Sequence, residues 1–332
     1  MGAARTGIQR PWEACMTSIV TLTLSPALDS ATSIARLCPD AKLRCSEPRY
    51  APGGGGINVA RAIHQLGGSA LALFPAGGPT GQHLAELLAA EDVPCQTVPI
   101  DAWTRECLNV VEQASDQQYR FVLPGARLSE AEQAQLLKAL EDLPELDYLV
   151  ISGSLPAGIT ADFIPRLLQT VAQRGARSIF DSSGDILRQA LDFGGLYLIK
   201  PNLNELRALS GEDIDESDQL IGVARGLVEA GKCAAVLVSL GPQGALLATR
   251  ELTERITAPT VRKLSTVGAG DSLVGAVTLK LAEGASLSEA ARYGVAAGSA
   301  AIMTAGSELC RRADTERLFA WLQARAAAGA QD

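Results

Sequence analysis

This sequence predicts an α/β sandwich, a mostly parallel sheet between helices with a small β appendage. Three observations predict it. From residue 146 onward come four short apolar runs, "LDYLVIS", "RSIFD", "GLYLIK" and "AAVLVSL", each expected as a buried strand followed by a helical stretch. The chain then closes on helical stretches at 269–283, 287–303 and 314–326. Between residues 105 and 123, "RECLNVVEQ", a polar "ASDQ" turn and "QYRFVLP" form an alternating pattern that reads as a long antiparallel hairpin.

The N-terminal half is read in order. A first strand is expected at Ile19–Leu24, running into "SPALD" with Asp29. A polar-apolar run, Lys42–Tyr50, leads into the glycines 53–56. In "INVARAIHQLG", Ile57, Ala60, Ile63, His64 and Gly67 have helical spacing with a glycine stop. A strand at Ala70–Phe74 and a helix at Gly81–Ala90 follow. The appendage draws on residues 31–50 and 105–122, both inserted into one domain spanning 16–326, so it is expected to act as a lid.

Composition narrows the function. The chain of 332 residues is 47% hydrophobic and 20% charged, enough for one large domain with a sizeable core. Net charge is −8 and aromatics are 4%, with no Lys/Arg cluster, so a nucleic-acid partner is not expected. A small anionic ligand is compatible with that charge, because a phosphate site needs only a few local donors. No run is apolar for the roughly 20 residues of a membrane span. Seven scattered cysteines with no CxxC pair read as reduced thiols of a cytoplasmic protein. His64 and His83 are the only histidines, leaving little material for a histidine metal site or a Ser-His-Asp triad. Ordered-looking sequence begins after Met16, so residues 1–15 are either a disordered leader or an artefact of start-codon choice.

Chemistry concentrates at the strand ends. Ligands of open parallel sheets bind beyond the carboxyl ends of the strands. There this chain carries Ser152-Gly153-Ser154, Asp181, Lys200-Pro201-Asn202 and Ser239-Leu240-Gly241. Any one is ordinary turn chemistry; four in succession along one rim make a ligand crevice. Two glycine-rich turns add to it. "PGGGGINVARA" sets four glycines before a helix with Asn58 in its first turn, and "TVGAGD" sets Gly268 and Gly270 before a helix starting near Asp271. Neither is a Walker A loop, since no Lys-Ser/Thr follows. A glycine-lined helix start offers N–H groups to an anion, and a carboxylate beside it can accept a hydroxyl's proton. A helix cap explains Asp271 about as well as a general base does.

Taken together, "PGGGGINVARA", "ISGSLPAG", "KPNLNE", "VSLGPQGA" and "STVGAGDSLVGA" appear in the order and spacing of the ribokinase-like (pfkB-type) carbohydrate kinases, a resemblance covering Met16 to about Leu322. It implies a three-layer α/β/α sandwich with a small β-sheet lid. The implied reaction is transfer of the γ-phosphoryl of MgATP to the C1 hydroxyl of fructose 6-phosphate, a glycolytic step. By the same resemblance, Asp271 is the catalytic base, with Gly268, Ala269 and Gly270 as its anion hole. Asp29, Gly54, Gly55 and Asn58 contact sugar hydroxyls, Arg105 of "WTRE" holds the 6-phosphate, and Ser154 is a further substrate contact. For ATP the resemblance implies Lys42 of the lid, Lys200, Asn202, Ser239, Gly241, Gly244 and Thr266 together with Gly268 and Gly270. Glu205 organises Mg²⁺ through water, with Asp181 a second candidate. A potassium site is implied on the carbonyls of Ser265, Val267, Ala301, Thr304, Gly306 and Glu308, although the family pattern has Asn and Arg at positions 304 and 308. Lids of this branch pair, so a homodimer is implied.

Two same-class alternatives remain, a tagatose-6-phosphate kinase and a 1-phosphofructokinase. A different class is a catalytically silent sugar-phosphate sensor, against which the intact Asp271, Gly268, Gly270, Arg105 and Glu205 argue. An NAD-dependent enzyme lacks its GxGxxG turn and distal acid.

Overall fold

The computed structural model describes residues 17–214, 216–306 and 308–329; the expected leader 1–15 lies outside them. The chain enters as strand β1 (Ile19–Leu22) and crosses into a second sheet with β2 (Ala27–Ile34) and β3 (Arg49–Gly53). It returns through helix α1 (Gly55–Gln65), β4 (Leu71–Ala76), α2 (Gly78–Ala90) and β5 (Cys95–Pro99). A second excursion adds β6 (Arg105–Glu112) and β7 (Gln117–Val122) to the small sheet. Next come α3 (Glu130–Glu141), β8 (Tyr148–Ser152), α4 (Phe163–Gln173), β9 (Arg177–Asp181), α5 (Asp185–Phe193) and β10 (Leu196–Ile199). They are followed by α6 (Leu203–Ser210), α7 (Ser217–Glu229), β11 (Cys233–Ser239), β12 (Ala245–Thr249) and β13 (Thr253–Ile256). Helices α8 (Ala269–Ala282), α9 (Leu287–Ile302) and α10 (Arg312–Gly329) complete the described chain.

The large sheet has nine strands in the order β13-β12-β11-β10-β9-β8-β1-β4-β5, parallel from β5 to β11. Its strands read apolar on both faces because both faces are covered. In β8, Val150 joins a core with α1, α2, α8, α9 and α10, while Leu149 and Ile151 join one with α3 to α7. That is the three-layer α/β/α sandwich. Burial of each such side chain stabilises the fold by roughly 1.5–3 kcal/mol. On the first face α8 and α9 lie close because Gly294 leaves room for Val277 and the Leu273 carbonyl, and Gly298 for the Ala269 carbonyl.

The small sheet has the order β3-β2-β6-β7, with β2 and β6 parallel and the outer pairs antiparallel. Residues 105–122 form the expected hairpin, turning where Asp116 takes φ 54°. The Lys42–Tyr50 run departs from expectation. Pairing begins only at Arg49, and the segment from 35 to 48 is exposed apart from Leu37, Ser46 being held to Ser33.

Two further expectations are corrected. No helix follows β11: a 3₁₀ turn at Gly241–Gln243 leads into the antiparallel β12–β13 edge instead. Gly241 and Gly244, at φ 58° and 98°, turn the chain back on itself where a helix would have continued. Helices α1 and α2 also start earlier than expected, their glycines lying inside the first turn, while α8 begins at Ala269 as expected. The reason is close approach. A Cβ on Gly55 would run into Ser152 and Gly153, and one on Gly56 into Thr23 and Leu22.

β1 is the topological switch point, since the chain builds outward from it first through β4 and β5 and later through β8. The crevice expected there receives the N-terminus of α1, the root of the lid sheet and the ends of β8, β9 and β10.

Candidate active site

Gly268 is the residue before α8 and adopts the left-handed conformation, φ 73°, which a side chain disfavours. Ala269 and Gly270 are the first two helical residues, so Asp271 is the third, and no side chain caps this helix. The capping explanation of Asp271 is therefore not what the structure shows. Its Oδ2 instead accepts a hydrogen bond from Asn58 Nδ2 at 2.9 Å, across 213 residues of chain. Burial pushes the Asp271 carboxyl up to about 7, and Asp181 adds to the rise; the Asn58 bond, Lys200 and Arg120 act against it. A carboxyl that titrates near neutrality is a stronger base than an ordinary aspartate and is still partly ionised there.

Lys200 closes the other side. Buried at the end of β10, it forms an ion pair with Asp181 at 2.9 Å, and Ser152 Oγ donates to the other oxygen of Asp181. Burial works against the lysine charge, but Asp181, Glu205 and Asp271 outweigh it and hold its pKa above the ordinary value. The ammonium lies 3.7 Å from where a Cβ on Gly270 would stand, next to the N-terminus of α8. Three N-terminal amides, one lysine and one carboxylate thus share one corner of the crevice.

On the lid side, Asp29 lies in β2 with its carboxyl in the space that a side chain on Gly53 would take. Burial raises its pKa, against the pull of Arg120, Arg105 and Arg61. The strand register places Ala27 beside Arg105, Asp29 beside Cys107, and Ala31 beside Asn109 and then Arg120. Asp29, Arg105 and Arg120 therefore project from one face of the lid sheet. Arg105 donates to Leu123 O and Ser25 O, both at 3.0 Å. Its Nε, and the nearby Ser25 Oγ, are buried without a hydrogen-bond partner. Such orphaned groups are rare unless a ligand uses them.

Other expected residues are placed as follows. Gly54 precedes α1 at φ 117°, Gly55 opens the helix, and Ser154 is exposed just beyond β8. The amide of Ile57 is taken by Thr23 Oγ1 at 2.8 Å, so this glycine turn is spent partly on packing α1 against β1. Asn202 and Glu205 cap α6 reciprocally, Asn202 Oδ1 accepting from the Glu205 amide and Glu205 Oε2 from the Asn202 amide. Ser239 ends β11 beside Asn202, and Gly241 and Gly244 flank the following turn. Thr266 is exposed and its carbonyl accepts from the Ala269 amide. Lys42 is exposed in the loop between β2 and β3, with no hydrogen bond or ion pair among the described residues. The fold of one chain does not bring it into this cluster.

No group of three metal-binding side chains occurs among the described residues. Asp181 and Glu205, each already engaged by a neighbour, fit a magnesium ion held largely by water and nucleotide phosphates, its usual mode in kinases. The expected potassium residues come together: Ser265 Oγ donates to Gly306 O at 3.1 Å, and Thr304 Oγ1 lies 2.8 Å from Ala301 O and 2.6 Å from Glu308 O. A set of neutral carbonyl oxygens suits a hard monovalent cation.

Arg61 and Arg120 were not anticipated from sequence. Arg61 had a usable signal, standing three residues after Asn58 on one helix face. Arg120 had none, because only the lid register turns it toward Asp29.

Most of the chain is similar to known proteins. The profile described as "pfkB family carbohydrate kinase" matches residues 23–314. The chain is 51% identical over 307 residues to the ATP-dependent 6-phosphofructokinase isozyme 2 of Escherichia coli, covering 92% of this chain and 99% of that one. To the isozyme 2 of Mycobacterium tuberculosis it is 44% identical, covering 93% and 91%. E. coli phosphofructokinase-2 solved with fructose-6-phosphate superposes with a TM-score of 0.88 at 50% identity, over 93% of this chain and all of that one. The same E. coli protein has been solved with potassium, TM-score 0.90, and in a tetrameric inhibited form, TM-score 0.89. The sequence motifs, the sandwich with its small second sheet and these similarities agree: the chain belongs to the pfkB family of carbohydrate kinases.

Proposed function

We propose that this chain is an ATP-dependent 6-phosphofructokinase, transferring the γ-phosphoryl of MgATP to the C1 hydroxyl of fructose 6-phosphate to give fructose 1,6-bisphosphate and ADP. The observation that carries it is the half-buried Asn58–Asp271 pair at the glycine-lined start of α8. The orphaned Arg105 Nε and Ser25 Oγ on the lid side support a phosphorylated sugar. The 51% identity to the E. coli isozyme supports its being fructose 6-phosphate.

In this reading Arg105 grips the 6-phosphate through a charge-assisted fork, and Asp29, Gly54, Gly55, Asn58 and Ser154 hold the sugar. The C1 hydroxyl then lies against Asp271, which takes its proton as the oxygen attacks. A positioned base contributes about 10²–10⁴-fold. Negative charge on the transferred group is met by the Gly268–Gly270 amides and by Lys200, which Asp181 keeps protonated and aimed. The purine side of ATP lies along the turn after β11, with Ser239, Gly241, Gly244 and Thr266, and Asn202 lies toward the phosphates. Magnesium, when bound near Glu205 and Asp181, supplies charge neutralisation on the nucleotide phosphates. Potassium would rest on the carbonyls of Ser265, Val267, Ala301, Thr304, Gly306 and Glu308 and stiffen the loop before α8.

Residues 16–326 form one kinase domain in this reading, acting in the cytoplasm; the described cysteines are all free, as a reducing compartment keeps them. No described helix is long and apolar enough to cross a membrane. A homodimer through the lid is supported by an exposed apolar row. Tyr50, Leu108 and Phe121, 44%, 38% and 47% exposed, line up across the sheet through Ser30, on the face opposite Asp29. Lys42 of one protomer would then reach the nucleotide of its partner.

The test is a coupled ADP assay with fructose 6-phosphate, tagatose 6-phosphate and fructose 1-phosphate. Fructose 6-phosphate is expected to give the highest kcat/KM. A preference of about 100-fold for fructose 1-phosphate overturns the assignment, about 2.7 kcal/mol in transition-state binding.

A further inference from the structure

Arg61 sits in the interior with almost none of its surface exposed, 5%, and every direction of its guanidinium is used. Nε and Nη2 form a fork on Glu91, at the end of α2, at 2.6 and 2.8 Å. Nη1 points the other way, 3.2 Å from the Pro52 carbonyl of the lid strand β3 and 3.4 Å from Asn58 Oδ1. Asn58 in turn donates to Asp271. Four polar groups thus form a continuous row from the surface to the base.

We propose that Arg61, fixed by Glu91, is a positioning residue for the catalytic base: it holds the Asn58 carboxamide with its oxygen inward, so that its NH₂ group faces Asp271. The inference rests on the reading of Asp271 as the base. Its logic is one of polarity. The two ends of a carboxamide have nearly the same shape, and hydrogen-bond partners decide which way it faces. A guanidinium has no acceptor, so only Oδ1 can face it. An ionised carboxylate has no donor, so only Nδ2 can bond it. Glu91, Arg61, Asn58 and Asp271 therefore fit together in one sense only. If Arg61 served just to pin α2 against α1, the fork on Glu91 would suffice; the third nitrogen turned to Asn58 and to the lid strand is what that role leaves unexplained.

The consequence follows from what surrounds Asp271. Asp181 faces it from β9, Lys200 from the end of β10, Arg120 from β7 and Asn58 from α1. Among these Asn58 is the direct hydrogen bond. Without Arg61 the carboxamide is free to turn, and its oxygen then opposes the carboxylate and favours the protonated acid.

Arg61→Gln, Arg61→Lys and Glu91→Gln test this in the full chain by two readouts. Carboxyl-carbon NMR of aspartate-labelled protein, with Asp271→Asn to assign the resonance, gives the Asp271 midpoint without turnover. Steady-state rates with MgATP and fructose 6-phosphate give the acid limb of kcat. Arg61→Gln is expected to raise the midpoint by about half a unit, so that kcat falls about threefold near pH 6.5 and far less near pH 8.5, with KM for ATP unchanged. Glu91→Gln moves it in the same direction by less, and Arg61→Lys, keeping the charge, restores part of the shift. Folded Arg61→Gln and Glu91→Gln proteins with the wild-type midpoint, whatever their Tm, overturn the proposal and leave Arg61 a packing residue. Where Arg61→Gln does not fold, Glu91→Gln decides it by the same criterion. A wild type inert toward fructose 6-phosphate sinks the kinase reading, while the NMR midpoints still decide the role of Arg61.

Discussion

Replacing Asp271 by Asn keeps the shape of the side chain and removes both the proton acceptor and the buried charge. Two effects of opposite sign follow. Turnover falls by at least about 10²-fold, the lower end of what a positioned base contributes, while affinity for both substrates changes little. Stability moves the other way. In the folded chain the Asp271 carboxyl is raised from 3.8 to about 7, so the folded state holds a proton that the unfolded chain has released. A raised carboxylate carries no penalty below the unfolded value. The penalty grows as pH climbs from about 4 to about 7 and is constant above, reaching at most about 4 kcal/mol at 1.36 kcal/mol per unit. The Asn variant never carries that charge. Its stability advantage over the wild type should therefore be absent near pH 4, grow through pH 5–7 and then level off, less about 1 kcal/mol for the altered bond to Asn58. Urea melts across that range, paired with an ADP-release assay, read both effects on the same preparations. Turnover within tenfold of the wild type refutes Asp271 as base. A stability difference that does not vary with pH refutes the electrostatic account of its environment.

Other residues give sharper, smaller tests. Arg105→Ala should raise KM for fructose 6-phosphate about 10–100-fold and leave KM for ATP unchanged, since a lost charge-assisted contact is worth about 1.5–3 kcal/mol; wild-type affinity equal for fructose and fructose 6-phosphate removes this role. Glu205 separates two functions cleanly. Glu205→Gln keeps the reciprocal cap of α6 and should leave the melting curve in place while raising the Mg²⁺ requirement; Glu205→Ala should also cost about 1 kcal/mol in stability. If Glu205→Gln needs no more Mg²⁺ than the wild type, the residue is a cap alone. Gly294→Ala would set a methyl 2.5 Å from Val277 Cγ2 and 3.0 Å from the Leu273 carbonyl, and should cost about 1–3 kcal/mol in a denaturant titration; an unchanged midpoint means α8 and α9 can separate freely.

Much of this molecule was legible along the chain. Buried parallel strands must be apolar on both faces, so "LDYLVIS" and "RSIFD" announced themselves, and the polar residues ending them marked the rim of the crevice. After "AAVLVSL" the pattern predicts a helix where the structure has an edge strand, because an edge hairpin, apolar and punctuated by glycine, resembles a turn into a helix. The sequence pattern sets glycines 55 and 56 ahead of the helix; only the packing of α1 against Thr23 and Ser152 shows why the helix must begin within them. The resemblance makes Glu205 a magnesium residue, and the structure adds a reciprocal cap that this role does not contain.

By itself the sequence determined the layered fold, the glycine-lined helix start at 268–270 and the residue types gathered at the strand ends, because backbone conformation and burial are encoded by near neighbours. Tertiary structure alone decided that Asn58 bonds Asp271, that Arg120 shares a face with Asp29, and that Arg61 is locked between Glu91 and Asn58. Those facts depend on sheet register and on contacts between residues up to 213 positions apart, and no local pattern specifies either. The pKa of Asp271 belongs to the same class. It is set by what surrounds the carboxyl in space, and the chain acquires that only by folding.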